Sequence, residues 1–594
     1  MNIEEKYIWN TNDIYKNNEE FEKDCKEVFD KVSEIKKYKG KLKESSENIY
    51  IVNKLDEEIG ELFSKLYAYA MLKHHRNMAE PENLKLYRKV EMMAPKISSE
   101  LSFITPELLS IDESTLEKYL NENQKLNRYK RVINDILKSK KHVLSEEGEN
   151  ILSNYSEVFA APDNIFTMLS DVDFKFDDIV LENNEKAKLT QGTYIKYLTD
   201  PNVCIRKQAF TNMYNMYKKY INTINEIYQT QVKKQVVTAK LRNYNSSLEK
   251  AVDAEDSTVE VYNNLIKTVN DNLQINHKYM ALKKKLLGIE DMHMYDIYLN
   301  SLKVDEENIS YIEAQEIIKD ALKILGKEYV EKIDFAFNNR WIDVYETENK
   351  HSGAYSMGVY GVHPYILTNY MNNINSVSTV AHELGHTMHS YYSNTNQNYV
   401  DSDYTIMVAE VASTVNEILL SEYLINKETD LKKKAMLINE QIDEIRATLI
   451  RQTMFAEFEK WVHEKVEENN PLTAEDLNNK YYELNKKYFG ENVNVDEDIK
   501  YEWARIPHFY SCFYVYKYAT GISSAITIAQ KILSNEKGYV ERYLNMLKKG
   551  GSEKSLDLLR SVDVDLETKT PIENAFKYYN DKIDELEEII KKIK

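Results

Sequence analysis

Residues 382–386 have the residue types and the spacing that bind a metal ion and use it in chemistry. They read His-Glu-Leu-Gly-His and match the pattern H-E-x-x-H. Residues four apart on an α-helix lie only about 40° apart around its axis, so both imidazoles can reach one ion. Glu383 lies beside them and can take a proton from water without binding the ion itself. The pattern predicts a zinc site with His382 and His386 as ligands and Glu383 as the catalytic base.

A third protein ligand is needed, because a catalytic zinc ion has three of them and one open position. The metzincin pattern requires His at residue 392 and the thermolysin-like pattern requires Glu at residue 406, but this chain has Tyr392 and Ile406. Glu410 lies in an apolar, helix-compatible run, where an unpaired carboxylate is costly. Asp401 and Asp403 lie in a polar stretch and are weaker candidates. We therefore predict Glu410 as the third ligand.

Two more residues share faces with the predicted ligands. His389 follows His382 by seven residues, but helix rise places it about 10 Å further along the axis. A packing or supporting role is therefore expected for His389 rather than metal binding. Glu417 follows Glu410 by the same interval. It either accepts a hydrogen bond from a ligating imidazole or is an ordinary solvated glutamate, and the spacing leaves both open.

The composition indicates a chain built mainly from helices. Only 15 Gly and 9 Pro occur among 594 residues, and 42% of the residues are hydrophobic. Few turn-forming residues over such a length favour long helices over a turn-rich β fold. Apolar residues recur at intervals of three and four through the first 170 residues and again from about residue 194. We predict a mainly α fold.

Two segments interrupt the helical pattern. Residues 171–194 alternate partly and contain a turn-like stretch, which predicts a β-hairpin. Residues 350–370 combine aromatic and β-branched residues with three glycines and predict a short sheet before the metal-binding helix. We place a domain boundary at residue 195. It separates an N-terminal helical lobe, residues 1–195 with the hairpin, from a catalytic metallopeptidase domain, residues 196–594.

Charge, hydropathy and cysteine usage limit the partners and the compartment. A formal net charge of -19 argues against nucleic acid as a partner. The sequence contains no run of 18 or more apolar residues, so no membrane span is predicted. The N-terminal residues lack the basic and apolar pattern of a secretory signal. Cys25, Cys204 and Cys512 are far apart and odd in number, which is typical of a reducing compartment. We expect a cytoplasmic protein, and the sequence does not indicate its oligomeric state.

Several motifs together resemble one peptidase family. Residues 382–389, His-Glu-Leu-Gly-His-Thr-Met-His, with Glu410 in Val-Ala-Glu-Val-Ala-Ser-Thr, resemble the thimet-oligopeptidase group of zinc peptidases. Its bacterial branch, oligoendopeptidase F, is the nearer match. The resemblance extends to Gly-Ala-Tyr-Ser at residues 353–356, His-Pro-Tyr-Ile-Leu at residues 363–367, and the segment from Arg505 to Gly521. These motifs cover residues 350–521, and the helix-rich pattern fits the whole length.

This resemblance implies a fold, a ligand set and a substrate class. The implied fold is a nearly all-helical, two-lobed zincin-type peptidase with a deep channel that admits short peptides. The implied zinc ligands are His382, His386 and Glu410, with Glu383 activating water. The strand at residues 363–369 would pair with the substrate backbone.

A second group of candidate residues follows Pro507. A helix that begins there places Tyr510, Tyr514 and Tyr518 on one face, with His508 at its start and Tyr516 pointing elsewhere. These hydroxyls and the imidazole can donate hydrogen bonds to the oxyanion of a tetrahedral intermediate. Periodicity alone also fits an aromatic core stripe. The family resemblance favours the catalytic interpretation, because related enzymes use a His and tyrosines from this region.

The predicted activity is zinc-dependent hydrolysis of internal bonds in short oligopeptides. One alternative is a zinc exopeptidase, a carboxypeptidase or dipeptidase, on the same fold. The other is a non-catalytic helical protein that binds peptides. The intact Glu383 argues against the second alternative, because binding alone does not require a base beside the metal.

Overall fold

A computed structural model describes residues 3–302 and 308–593 of the chain. Helices account for 73% of the structure and the sheets are small, which confirms the predicted mainly α class. None of the helices in these two ranges is long and apolar enough to cross a membrane.

The first half of the chain folds into a succession of helices. They are α1 (Asn18–Ile35), α2 (Ser46–Arg76), α3 (Pro81–Leu101), α4 (Ile104–Ser110), α5 (Glu113–Glu122), α6 (Lys130–Ser139), α7 (Glu146–Asn154), α8 (Ser156–Thr167), α9 (Gln191–Leu198), α10 (Val203–Lys219), α11 (Ile221–Leu241), α12 (Ser247–Asp253), α13 (Val259–Asp271) and α14 (Leu273–Leu287).

The second half continues in the same way. Its helices are α15 (Tyr311–Leu322), α16 (Lys327–Asn338), α17 (Ile374–Asn396), α18 (Tyr399–Ser402), α19 (Ile406–Lys427), α20 (Leu431–Ile445), α21 (Gln452–Glu467), α22 (Ala474–Phe489), α23 (Tyr516–Leu533), α24 (Tyr539–Lys548), α25 (Ser555–Arg560) and α26 (Thr570–Ile593).

Five strands in the described ranges form two small sheets. Strands β1 (Ile179–Val180) and β2 (Lys186–Ala187) pair antiparallel, which confirms a hairpin within residues 171–194. The second sheet has the order β3-β5-β4 and precedes α17 in the sequence. Its strands are β3 (Ile342–Asp343), β4 (Tyr355–Met357) and β5 (Tyr365–Leu367).

The position of β5 corrects one expectation. It pairs parallel with β3 on one side and antiparallel with β4 on the other. Both of its edges are therefore occupied, and it cannot add a substrate strand as predicted for residues 363–369. The edge strand is β4. The nearby turns use Gly353 and Gly361, whose φ angles of +80° and +73° favour glycine.

Helix α17 begins and packs as its sequence predicts. The Asn373 side chain caps its start by accepting a hydrogen bond from the Ser376 amide at 2.9 Å. Its apolar stripe is completely buried: Val377, Val380, Ala381, Leu384 and Met388 are each 0% exposed. This burial fixes the rotation of α17 and therefore the direction of its remaining faces.

The chain folds into two compact units, and each unit contains three separate segments of the sequence. The first unit contains residues 1–146, 306–420 and 528–563, and the second contains residues 147–305, 421–527 and 564–594. The spatial division therefore does not fall at residue 195, because the chain passes between the units several times. As a boundary between sequence domains, residue 195 stays a prediction.

Candidate active site

Helices α17 and α19 bring the three predicted metal ligands together in the first unit. One ligand atom from each of His382, His386 and Glu410 lies within 4.8 Å of the other two. The Nε2 atoms of His382 and His386 lie 3.8 and 3.9 Å from Oε2 of Glu410. Within residues 3–302 and 308–593, no other group of three His, Cys, Asp or Glu residues comes this close.

The geometry of these atoms fits a shared metal ion. The separations of 3.8 and 3.9 Å are too long for good hydrogen bonds. A tetrahedral ion with bonds of about 2.1 Å separates its ligand atoms by about 3.4 Å, close to the observed separations. Two imidazoles and one carboxylate are also the donor set of many catalytic zinc sites. The site can therefore hold a divalent metal ion after small side-chain movements.

The weaker aspartate candidates are engaged elsewhere. Asp401 accepts a hydrogen bond from Nε of Arg131 at 2.6 Å, and the two form an ion pair. Asp403 is exposed and accepts a hydrogen bond from the Tyr404 amide at 3.1 Å. Neither belongs to the cluster of His382, His386 and Glu410.

A direct backbone contact between α17 and α19 determines where Glu410 lies. A Cβ atom on Gly385 would lie 2.5 Å from Cα of Ser413 and 2.6 Å from the Ala412 carbonyl oxygen. No larger residue fits, so glycine allows the two helices to touch at this point. Ser413 follows Glu410 by about one helical turn, and the close approach therefore brings Glu410 to the histidines.

Asn416 adds a second link between the two helices. Its side chain is 0% exposed, and Nδ2 donates a hydrogen bond to the Ala381 carbonyl at 3.1 Å. The hydroxyl of buried Tyr329 donates to Oδ1 of Asn416 at 3.0 Å. The main chain directly before His382 is thus fixed to α19. Neither Gly385 nor Asn416 was predicted as a supporting residue, although a glycine inside a helix is a signal of close packing.

Glu417 orients the first imidazole. Its Oε1 lies 3.3 Å from Nδ1 of His382, so the opposite nitrogen, Nε2, is directed to the ligand cluster. This contact favours the supporting role over that of an ordinary solvated glutamate. Burial lowers the pKa of His382, but the hydrogen bond and charge of Glu417, with Glu383 and Glu410, raise it overall to about 9. Such carboxylate partners commonly fix the ring of a ligating histidine.

The second imidazole is neutral. Burial, followed by the neighbouring His382, lowers the pKa of His386 to about 3, while the Ala409 backbone opposes this by hydrogen bonding. A neutral imidazole has a lone pair available for a metal. Burial also raises the pKa of Glu410. A buried carboxylate of this kind is stabilised by a nearby positive charge.

Glu383 is buried on α17 and is not a member of the group of His382, His386 and Glu410. It is 6% exposed, and its Oε2 atom has no hydrogen-bond partner among the described residues. Burial raises the pKa of this carboxyl to about 7, opposed by the charge of His382 and by a hydrogen bond from the Ser356 backbone. A carboxylate with a pKa near neutrality is well matched to accept and return a proton.

The open edge of β4 lies against the same helix. Ser356 of β4 lies opposite Ile366 of β5. The N–H of Ile366 donates a hydrogen bond to the Trp341 carbonyl, which lies on the β3 side of β5. The main chain of Ser356 therefore points away from β5, toward the free edge. Its hydroxyl lies 2.8 Å from Oγ1 of Thr387 on α17. The edge strand and Glu383 are thus direct neighbours.

His389 has the packing role that was expected. It is 0% exposed, and its ring stacks on Tyr404 with centroids 3.6 Å apart. Burial, followed by the interaction with the neighbouring His386, lowers the pKa of His389 to about 3. His389 is therefore a neutral core residue behind the ligand face.

The second unit contains the other candidate group, and here the predicted helix is wrong. Residues Pro507–Tyr510 form a short 3₁₀ turn, Phe513 has a φ angle of +49°, and α23 begins only at Tyr516. Tyr510, Tyr514 and Tyr518 therefore do not lie on one face of a continuous helix. The non-helical residues at this break, including Phe513 in the left-handed region, end the regular period that would align the tyrosines.

The turn nevertheless gathers three of the predicted residues. The His508 and Tyr514 rings stack with centroids 5.9 Å apart, and the Tyr518 hydroxyl lies 3.4 Å from Nε2 of His508. The Tyr514 and Tyr518 rings are 5.5 Å apart. Burial, with the nearby positive charge of Arg451, lowers the pKa of His508, so the ring is neutral at neutral pH. Three potential hydrogen-bond donors therefore form one cluster.

Tyr510 and Tyr516 do not join this cluster. Tyr510 is 7% exposed and stacks on Phe166 with centroids 4.3 Å apart. Tyr516 is 0% exposed and packs against Tyr262 at 5.1 Å. For these two residues the geometry is that of core aromatics.

Two family models match the chain. The model of peptidase family M3 matches residues 196–578, and a model described as oligopeptidase F matches residues 107–176. The first of these covers more than half of the sequence. The chain belongs to peptidase family M3. The chain is therefore a metallopeptidase.

Similarity to known proteins extends over the whole length of this M3 peptidase. Oligopeptidase PepF of Bacillus subtilis is 39% identical, and the match covers 99% of this chain and 88% of PepF. The crystal structure of oligoendopeptidase-F from Enterococcus faecium is 32% identical, with a TM-score of 0.75 over 97% of this chain and 99% of that one. A crystal structure from Chlamydophila abortus is 31% identical, with a TM-score of 0.90 over 99% of both chains.

Proposed function

We propose that this M3 peptidase is a zinc-dependent endopeptidase that hydrolyses internal bonds of short oligopeptides. The observation that carries the proposal is the convergence of His382, His386 and Glu410, with the buried Glu383 directly beside them. Oligopeptide substrates are supported by the names of the full-length relatives, an oligopeptidase and an oligoendopeptidase.

Zinc is the metal proposed for the cluster. Two imidazoles and a carboxylate suit a borderline-soft ion without a strong geometric preference. When bound, zinc supplies Lewis acidity, which activates water near neutral pH and polarises a carbonyl group. Glu417 fixes the ring of His382, and Gly385 and Asn416 fix the distance between the helices that carry the ligands.

Glu383 performs the proton transfers in this proposal. Its carboxylate takes a proton from the attacking water and returns it to the amine that leaves. The Ser356 backbone lies close enough to lower the pKa of the carboxyl, and Oε2 has no hydrogen-bond partner among the described residues. That free oxygen is the atom we assign to accept the proton.

The edge strand β4 is the proposed docking strand for the substrate backbone. It is the outer strand of its sheet and lies directly beside Glu383. A peptide that extends the sheet at this edge gains main-chain hydrogen bonds regardless of its side chains. Such binding suits a peptidase that acts on varied oligopeptides.

The cluster of His508, Tyr514 and Tyr518 is proposed to donate hydrogen bonds to the oxyanion of the tetrahedral intermediate. Support comes from the grouping of three donors and from the resemblance of residues 505–521 to the corresponding family segment. Such donors act mainly on charge that develops in the transition state. Tyr510, with its ring stacked on Phe166, is the weakest member of the predicted set.

A cytoplasmic location stays a prediction. Cys25, Cys204 and Cys512 are all free thiols in the structure, as is typical of proteins from reducing compartments. The proposed partners are short peptides.

One experiment separates the proposed activity from its exopeptidase alternative. A mixed library of peptides blocked at both termini is incubated with the enzyme, and the products are identified by mass spectrometry. We expect internal cleavage that a chelator abolishes and added zinc restores. The same peptides with free termini are incubated in parallel, and cleavage of these alone, with the blocked library uncut, would instead identify an exopeptidase. Binding without any product, in a zinc-loaded protein, would support a peptide-binding protein.

A further inference from the structure

The turn between His508 and Tyr514 adopts a conformation that its sequence does not favour. Phe513 has a φ angle of +49°. This left-handed region is unfavourable for a bulky residue, and such strain persists only where surrounding contacts impose it. Phe513 directly precedes Tyr514, so the conformation of this residue determines where the Tyr514 ring is directed. The contacts that impose the strain therefore matter for the His508, Tyr514 and Tyr518 cluster.

Glu459 makes the contact at Phe513. This residue lies on α21 and is 0% exposed, and its Oε1 atom accepts a hydrogen bond from the Phe513 amide at 2.7 Å. Burial raises the pKa of the Glu459 carboxyl well above its usual range, and the hydrogen bond from the Phe513 amide opposes this shift. Its Oε2 atom has no hydrogen-bond partner in the described part of the chain. Among the described residues, the Phe513 amide is thus the one hydrogen-bond partner of the Glu459 carboxyl group.

The other end of the turn is bound as well. Gln231 and Gln235 on α11 both donate hydrogen bonds to the Tyr510 carbonyl oxygen. His463, one helical turn after Glu459, lies 2.8 Å from Oε1 of Gln235, and its ring is 4.4 Å from that of Phe513. The carbonyl of Tyr510 and the amide of Phe513 are therefore both fixed by buried side chains of the same unit.

Stability alone is a poor explanation for Glu459. A buried carboxyl group with an unpaired oxygen costs free energy, and an apolar residue of similar volume is often neutral or stabilising at such positions. Leucine or methionine could fill this space but could not accept the Phe513 amide proton. What the carboxyl group adds is a fixed direction for the main chain between His508 and Tyr514.

We propose that Glu459 is a positioning residue that aims the His508, Tyr514 and Tyr518 cluster through its hydrogen bond to the Phe513 amide. This inference rests on the proposed oxyanion role of that cluster. Glu459 itself does not touch the substrate. It acts on residues 510–513, which form the turn before Tyr514. Its hydrogen bond keeps this turn in the strained conformation that directs the Tyr514 ring.

Two substitutions of Glu459 separate positioning from packing. Glu459→Leu removes the acceptor, and we expect kcat to fall by about 10- to 100-fold, because misdirected oxyanion donors lose most of their effect. We expect KM, zinc content and melting temperature to change little. Glu459→Gln keeps an acceptor oxygen of the same length, and we expect kcat to stay within about threefold of wild type. Glu459→Met serves in place of the leucine variant if that variant folds poorly.

Glu457 provides a matched control on the same helix. It accepts hydrogen bonds from Asn270, Lys487 and Tyr488, and none of these partners belongs to the turn. Glu457→Leu removes these bonds and should lower the melting temperature while kcat stays unchanged. A similar loss of kcat in the Glu457→Leu and Glu459→Leu variants would mean that the effect is general loss of stability, and the inference would be wrong.

Hydrogen exchange gives a readout that does not depend on turnover. In zinc-loaded protein, we expect amides of residues 508–514 to exchange about tenfold faster in Glu459→Leu than in wild type or Glu459→Gln, because the turn loses the acceptor that fixes it. If exchange and kcat are both unchanged in Glu459→Leu while His508→Phe loses turnover, the positioning role is refuted and the oxyanion role stands. If His508→Phe and Tyr514→Phe keep full turnover, the oxyanion role fails, and the inference that rests on it is overturned even if exchange is faster.

Discussion

The two candidate regions fix their side chains by different physical means. In the first unit, His382, His386 and Glu410 lie on regular helices whose backbones touch at Gly385. In the second unit, His508 and Tyr514 flank a strained turn that is bound by buried side chains, above all Glu459. Helix contact fixes ligand positions through the backbone, whereas the turn depends on individual hydrogen bonds. The distance between the helices of the first region should therefore be most sensitive to substitution where the backbones meet.

The largest effect is expected at Glu383. Glu383→Gln preserves the shape of the side chain but removes the proton acceptor, so kcat should fall by about 10²- to 10⁴-fold. Zinc content should stay at the wild-type value, because Glu383 is outside the ligand cluster. Steady-state kinetics and metal analysis on the same preparation test this. Near-normal turnover in the zinc-replete variant would remove Glu383 from the mechanism.

The next largest effect is expected in the second region. His508→Phe and Tyr514→Phe should each lower kcat by about 10²-fold, since each removes one donor to the developing oxyanion. Zinc content and melting temperature should be unchanged, because the aromatic ring is retained. Tyr510→Phe is the matched control, and we expect little effect on kcat from it because the Tyr510 ring is stacked on Phe166. If Tyr510→Phe were inactive and Tyr514→Phe active, Tyr510 would be the oxyanion donor and Tyr514 the core aromatic.

A smaller effect, on affinity rather than on chemistry, is expected at Glu417. Glu417→Ala removes the acceptor beside Nδ1 of His382, and loss of such a partner typically weakens metal affinity by about 10- to 100-fold. A competition titration with a chromophoric chelator measures this change. Unaltered zinc affinity in the alanine variant would show that the ring of His382 is oriented without its carboxylate partner.

The helix contact itself can be broken by one methyl group. Gly385→Ala places a Cβ atom 2.5 Å from Cα of Ser413, so α17 and α19 must separate, at a cost of about 1–3 kcal/mol in stability. Zinc affinity should fall with it. Gly192→Ala is the control, because there the nearest atom is 3.9 Å away and the added methyl should be tolerated. Equal melting temperatures and zinc affinities for both variants would contradict the proposed contact.

Regular structure explains why much of the first region could be predicted from sequence. The period of α17 alone places His382 and His386 on one face, and the apolar context of Glu410 singles it out on α19. What could not be predicted was how the helices approach each other. That depends on Gly385 and Asn416, whose partners lie on another helix.

The irregular turn explains the main error. The interval of four residues between tyrosines predicts a shared face only if the backbone stays helical, and Phe513 interrupts it. The Phe513 amide donates a hydrogen bond to Glu459, which is 54 residues away in sequence. The central position of β5 was missed for a similar reason, because the two-residue strand β3 that covers it carries almost no sequence pattern.

Metal content tests the assignment of the three ligands most directly. Wild type, Glu410→Ala and Asp401→Ala are dialysed against the same buffer, and zinc per chain is measured by elemental mass spectrometry. We predict one zinc ion per chain in wild type and in Asp401→Ala, and almost none in Glu410→Ala, which has only two protein ligands left. Full zinc in Glu410→Ala together with loss in Asp401→Ala would show that the third ligand has been misassigned.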